Sequence, residues 1–460
     1  MFERIRFPLS RRVLSTGVVA LAILAASFAA AVAQQRPRPI SFIRDAEIEA
    51  TIRAYATPLF AAAGLDARAI SVHLVNDPSL NAFVANGLNM YLNTGLLMRS
   101  EHAGQVIGVI AHETGHIQGA HLVQIRDQMR QSTIPYFLEM LATVGAAAAG
   151  ARPGNPNDWG GTYGGGGGPT VTERFLLRYS RGMESQADQA GLALLDRTSQ
   201  SSRGLMEFLD IIADQELLQV GRQDPYVRTH PIARERIESI RAHVERSRFS
   251  DAPQRPGFAE AHARMRAKLY GFLDPVRALQ RYPASDTSLP ARYARAIAHF
   301  KRLDFNRAHA LIDGLIAERP KDAYLLEAKG QFLVEQGKPE DARVFYARAA
   351  AAAPEEPLIV QSLGWTELQS GATRQAIATL ERARRLQPED ADTWRLLAQA
   401  YGRDGQTGLA DYAQAESFSL LGRSTEAVHF AERALRQLAP NSTAAIKAQD
   451  IKDINQRRLR

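Results

Sequence analysis

The residues with the clearest chemistry are His112-Glu113-Thr114-Gly115-His116, HETGH in the chain. In a helix, residues four apart lie about 40° apart around the axis, on one face. Both imidazoles can then reach one zinc ion, and Glu113 between them can act as general base on a water that the ion polarises. The preceding run, Ala103 to Ala111, is small and apolar. It buries the helix and leaves His112 and His116 as polar groups that need a partner.

A zinc site of this kind needs a third protein ligand. Glu173 to Arg197 reads as a helix on which Glu184 and Asp188, four apart, share a face. Glu184 is assigned as the third ligand. Asp188 is assigned to the catalytic set, accepting a hydrogen bond from the second nitrogen of a ligand imidazole and so fixing its tautomer. Three other candidates are weaker. His121 is five residues past His116, about 140° around the same helix, and points elsewhere. Glu173 lies beside a glycine-rich stretch. His230 precedes Pro231, which biases it toward an extended or turn conformation on a loop. Two roles are open to His230: a donor to the oxyanion, or a fourth ligand that excludes water until the loop moves.

The elements around the motif follow from periodicity. Asp45 to Ala63 predicts an amphipathic helix with Ile48, Ile52, Tyr55 and Leu59 along one side. A strand over Ile70 to Val75 follows. Then come Asn81-Ala82-Phe83-Val84, a turn at Asn86-Gly87, and a strand over Met90 to Thr94. A hairpin just before the zinc helix offers Asn81, Ala82 and Phe83 as an edge for an extended peptide substrate.

Residues 1–33 read as a cleaved secretory signal: basic residues, an apolar run from Val13 to Phe28, then Ala31-Val32-Ala33. An uncleaved anchor is the competing reading. The 460 residues contain no cysteine, which excludes a disulfide scaffold and a lipid-attachment cysteine. Formal charge is +7, but residues 1–33 hold four arginines against Glu3, so the remainder carries +4. That is too mild and scattered for a nucleic-acid partner. Ile134 to Ala151 is apolar yet short for a bilayer span, and it contains Glu139. It suits a buried helix, a lid or a peripheral membrane contact. Gly160 to Gly168, with seven glycines in nine residues, predicts flexibility, and no Gly-Lys-Ser/Thr follows to make a phosphate loop.

Beyond residue 285 the chain repeats. Ala308, Ala342, Ala376 and Ala410 are each 34 apart, as are Gly337, Gly371 and Gly405, and Pro320, Pro354 and Pro388. A 34-residue period with small residues at helix crossings is the tetratricopeptide signature. Such repeats bind peptides or proteins and carry no chemistry of their own. Ala427 continues the pattern only after a half-repeat offset, as a terminal cap would.

HETGH, the Glu184–Asp188 pair, Asn81-Ala82-Phe83, and His230-Pro231 with Arg236-Ile237 together resemble the gluzincin family of the CaaX prenyl proteases and the heat-shock protease HtpX. Within it the chain is most similar to the BepA type, exported metalloproteases with tetratricopeptide repeats. The resemblance implies periplasmic location and outer-membrane β-barrel proteins and their assembly machinery as partners. It also favours the blocking role for His230. Thr198-Ser199-Gln200-Ser201 departs from the family, which usually has a glycine-containing turn there.

These readings predict a mostly α chain with a small β-sheet, a zincin-type metalloprotease domain followed by an α-solenoid. The expected divisions are a signal peptide at 1–33, the protease at 34–245, a helical connector at 246–285 and repeats at 286–460. The expected cofactor is one Zn2+ per chain. The competing function is a non-catalytic periplasmic chaperone that works through its repeats; the presence of Glu113 argues against an idle site. A membrane-embedded protease is disfavoured because no run after residue 33 is a convincing span.

Overall fold

In a computed structural model, residues 41–85, 88–121, 123–124, 181–213, 226, 230 and 234–459 are described. The expected signal sequence, the Asn86-Gly87 turn, the apolar stretch from Ile134, the glycine run and Glu173 lie outside them. Among the described residues no helix is long and apolar enough to cross a membrane.

Helix α1 spans Ala46–Ala62; Asp45 caps it by accepting a hydrogen bond from the Ile48 amide. Ile48, Ile52, Tyr55 and Leu59 are all buried, the spacing that a helix with one apolar face requires. Strands β1 (Phe42–Ile43), β2 (Ser71–Val75), β3 (Ala82–Ala85) and β4 (Asn89–Asn93) form one sheet in the order β1-β2-β4-β3. β2 and β4 are parallel, while β3 and β4 make an antiparallel hairpin, so β3 is the sheet's edge. The Asn93 amide bonds the Asn81 carbonyl, and Phe83 pairs with Tyr91. Residues 81 and 83 therefore turn their backbone groups toward β4, and Ala82 turns its own the other way.

Among the described residues, helices α2 (Thr94–Arg99), α3 (Ala103–Gln118), α4 (Arg181–Arg197), α5 (Arg203–Ala213) and α6 (Arg234–Arg246) follow the sheet. One apolar core joins Leu74, Met90 and Leu92 of the sheet to Val106, Val109 and Ile110 of α3, Leu192 and Leu195 of α4, and Leu205 and Phe208 of α5. Between α4 and α5, Ser199 takes φ 54°, so the turn that glycine would form without strain is made here by serine.

After α7 (Phe258–Leu273) and α8 (Pro275–Arg281), helices α9 to α18 run as antiparallel pairs from Leu289 to Arg458. The 34-residue glycines have a physical reason. Gly337, Gly371 and Gly405 each end a helix at φ 75–79°, a left-handed cap. A Cβ on Gly330 would sit 2.8 Å from the Tyr346 ring, and one on Gly364 would sit 2.7 Å from Leu380, so only glycine lets those helices cross.

The first repeats are not merely strung after the N-terminal region. Residues 41–460 form one unit. Fully buried Lys268 of α7 pairs with Asp45 at 2.8 Å and with Glu327 of repeat helix α11 (Ala323–Glu335) at 3.1 Å. Arg264 bridges Glu47 and Asp322, and the Tyr293 hydroxyl donates to Glu47 at 3.0 Å. A buried cluster of this kind specifies how the pieces dock, because an ion left alone there would cost several kcal/mol.

Candidate metal centre

α3 and α4 cross where neither helix presents bulk. A Cβ on Gly115 would lie 2.5 Å from the Ala187 carbonyl oxygen, and one on Gly191 would lie 3.0 Å from the His112 amide. Gly115, inside HETGH, is thus what lets the acidic face of α4 reach the two histidines of α3. His112, Glu113, His116 and Glu184 are all buried to 1% exposure or less, and Asp188 to 4%.

At this crossing one ligand atom each from His112, His116, Glu184 and His230 lie within 4.8 Å of one another. His112 Nε2 and His116 Nε2 are 3.1 Å apart, and Glu184 lies 3.4 Å from the first and 3.2 Å from the second. Nitrogens bound to one tetrahedral metal at about 2.0–2.1 Å would be separated by about this much. Two buried imidazoles face to face with a carboxylate need a cation between them. Burial and neighbouring charges act on the two imidazoles in opposite senses. For His112, burial opposes the charged form, but hydrogen bonds to Asp188 and Glu184 raise its pKa to about 10. For His116, burial prevails over Glu184 and lowers it to about 3. The donor set of imidazole nitrogens and a carboxylate therefore fits a divalent metal.

The groups around the cluster are arranged by charge. Asp188 Oδ1 accepts from His112 Nδ1 at 2.8 Å. Arg236 of α6 reaches Glu184 Oε2 at 2.6 Å and Asp188 Oδ2 at 2.7 Å, so one cation is shared between the two acids. Burial alone would raise the Glu184 pKa, but His230 and Arg236 hold it well below the ordinary range. Asp188 is lowered too, burial being outweighed by His112 and Arg236. Glu113 differs: burial raises its pKa, and among the described residues neither carboxylate oxygen has a hydrogen-bond donor, with His230 Nε2 at 3.5 Å.

His230 is fully buried. Its Nδ1 is 3.1 Å from Glu184 Oε1, its Nε2 is 3.3 Å from the Ala82 carbonyl oxygen, and its ring stacks on Tyr226 at 4.4 Å. It thus stands between the ligand cluster and the edge strand. Asn81, at the start of that strand, is 1% exposed, and among the described residues neither side-chain polar atom has a hydrogen-bond partner.

One expectation is corrected. His121 does not point elsewhere: its Nδ1 is 2.9 Å from His116 Nδ1. The angular argument assumed a continuing helix, but α3 stops at Gln118 and Ala120 takes φ 51°, which folds His121 back. Tyr226 is not marked by the sequence, and Arg236 enters it only through the family resemblance, with no role at the site. A signal for Arg236 existed: it is buried in register with Ile240 and Val244, an arginine where the apolar stripe of α6 calls for an aliphatic residue.

Residues 43–244 match the model of peptidase family M48. Tetratricopeptide repeat models match residues 293–357 and 333–400. The chain is 25% identical over 373 residues to a beta-barrel assembly-enhancing protease of Yersinia pestis, covering 77% of this chain and 72% of that one. It is 24% identical to the protein of that name in Escherichia coli K12, over 79% and 74% of the two chains. A mitochondrial metalloendopeptidase OMA1 of Schizosaccharomyces pombe is 27% identical over 185 residues, 40% of this chain and 49% of that one.

Proposed function

We propose that this chain, which matches peptidase family M48 over residues 43–244 and is similar to beta-barrel assembly-enhancing proteases, works as an exported zinc endopeptidase. Its substrates would be misfolded or stalled outer-membrane β-barrel proteins in the periplasm. Its repeats would recruit them or dock on their assembly machinery. The observation that carries this reading is the convergence of His112, His116 and Glu184 beside an unbonded, buried Glu113. The two assembly-enhancing relatives carry the substrate class in their names.

Zinc held by His112, His116 and Glu184 would supply the Lewis acid that polarises water and the scissile carbonyl. Glu113 takes the proton of the attacking water and returns it to the leaving amine. Its raised pKa suits a group that must both accept and give. Asp188 orients His112, and Arg236 keeps the two acids charged in a buried place. An extended substrate would pair with β3, whose Ala82 carbonyl turns away from β4. The buried Asn81 amide offers that backbone a further donor and acceptor.

His230 bears on both halves of this scheme, because it touches Glu184 and the Ala82 carbonyl together. In the blocking role it holds the resting enzyme closed. His230→Ala is then expected to raise peptide turnover several-fold with metal still bound. A fall in turnover would assign it to the oxyanion instead, and an unchanged rate would dispose of both roles. The purified chain should cleave an unfolded outer-membrane barrel protein and spare the folded barrel. Failure to cut it under conditions where a generic peptide is cut would overturn the substrate class.

A further inference from the structure

His112 and His116 are backed by different chemistry. Behind His112 stands a carboxylate, Asp188. Behind His116 stands a second imidazole: His116 Nδ1 is 2.9 Å from His121 Nδ1, and His121 Nε2 is 3.2 Å from Gln186 Oε1. The protons in this row are not independent. An amide oxygen only accepts, so with the Gln186 Oε1 facing it His121 Nε2 carries the proton and His121 Nδ1 presents its lone pair. A bare Nδ1 accepts from His116 Nδ1–H. That leaves the lone pair of His116 on Nε2, the atom that faces His112 and Glu184. With the Gln186 amide turned over, every proton in the row would reverse and one would sit on His116 Nε2, where no metal could then bind.

We propose that His121, held by Gln186, is a positioning residue that fixes His116 in its metal-binding tautomer. The inference rests on the metal-site reading above and adds a residue to it. Local geometry is built for this contact. The chain reverses at Ala120, φ 51°, and His121 is fully buried. A Cβ on Gly119 would lie 2.3 Å from His121 Nε2, so the residue there must lack a side chain for the ring to come in. Gly119 itself has φ −74°, which any residue adopts. Its lack of a side chain therefore serves the ring and not the turn.

The test is zinc affinity of the full chain, read by competition with a chromophoric chelator, together with the visible spectrum of the cobalt-loaded protein. Loss of a partner behind a ligand typically costs about 10- to 100-fold in metal affinity. His121→Leu is expected to weaken zinc by that factor and to shift the cobalt bands. Gly119→Ala, which displaces the ring and leaves its polarity intact, should move affinity the same way. His121→Asn places an amide oxygen near the position of Nδ1, and should stay close to the wild-type value. Equal zinc affinity in wild type, His121→Leu and Gly119→Ala would overturn the proposal, as would an Asn variant as weak as the Leu variant. If His121→Leu does not fold by circular dichroism, Gly119→Ala decides. A wild-type chain that takes up no zinc would instead sink the metalloprotease reading from which the inference starts.

Discussion

Glu113→Gln is expected to lower peptide cleavage by about 10²- to 10⁴-fold, the usual worth of a positioned general base. Zinc content should stay at that of the wild type, because Glu113 is not among the clustered ligand residues. The substitution keeps shape and removes only the capacity to take a proton. Glu113 is fully buried, and its carboxylate accepts no hydrogen bond in the resting chain. Folding is therefore expected to be unharmed or slightly improved, since a buried charge without a strong partner is costly. A Gln variant that cleaves at the wild-type rate would remove Glu113 from the mechanism.

Arg236→Met should have the largest effect on stability. Arg236 is 4% exposed and bonds both Glu184 and Asp188. Its removal leaves Glu184 and Asp188 with histidine partners only, at a cost of about 3–5 kcal/mol for breaking a buried pair. Urea unfolding of the metal-free variant should show that loss. Zinc should recover part of it, because a divalent ion neutralises the same acids and binds only the folded state. A variant as stable as wild type in chelator would mean that the histidines alone balance the two acids and that Arg236 adds no stability.

The site was legible in sequence where one helix or one face decides. HETGH and the Glu184–Asp188 pair each lie on a single turn of helix, so spacing alone sets their direction. The edge position of β3 followed from hairpin chemistry. The 34-residue period was equally plain, since Gly337, Gly371 and Gly405 recur where a left-handed cap is needed. What spacing could not give was anything that depends on where a helix stops or which helices cross. His121 is not among the clustered ligand residues, as its spacing implies, but its contact with His116 was hidden because the helix stops at Gln118 and Ala120 is left-handed. Arg236 is joined to Glu184 and Asp188 by a contact across about fifty residues of chain, which no local pattern encodes. The docking of the repeats on α1 and α7 was hidden for the same reason. Lys268 and Glu47 look like ordinary surface charges until Glu327 and Tyr293 come to meet them.

The most direct measurement is metal removal and return. The purified chain is stripped with a chelator, dialysed, and titrated with zinc while cleavage of one unfolded substrate is followed. The account predicts no cleavage in the stripped protein, recovery that saturates at one zinc per chain, and no recovery in Glu184→Ala at the same zinc concentration. Cleavage that survives complete stripping, or that returns in Glu184→Ala as in wild type, would contradict it.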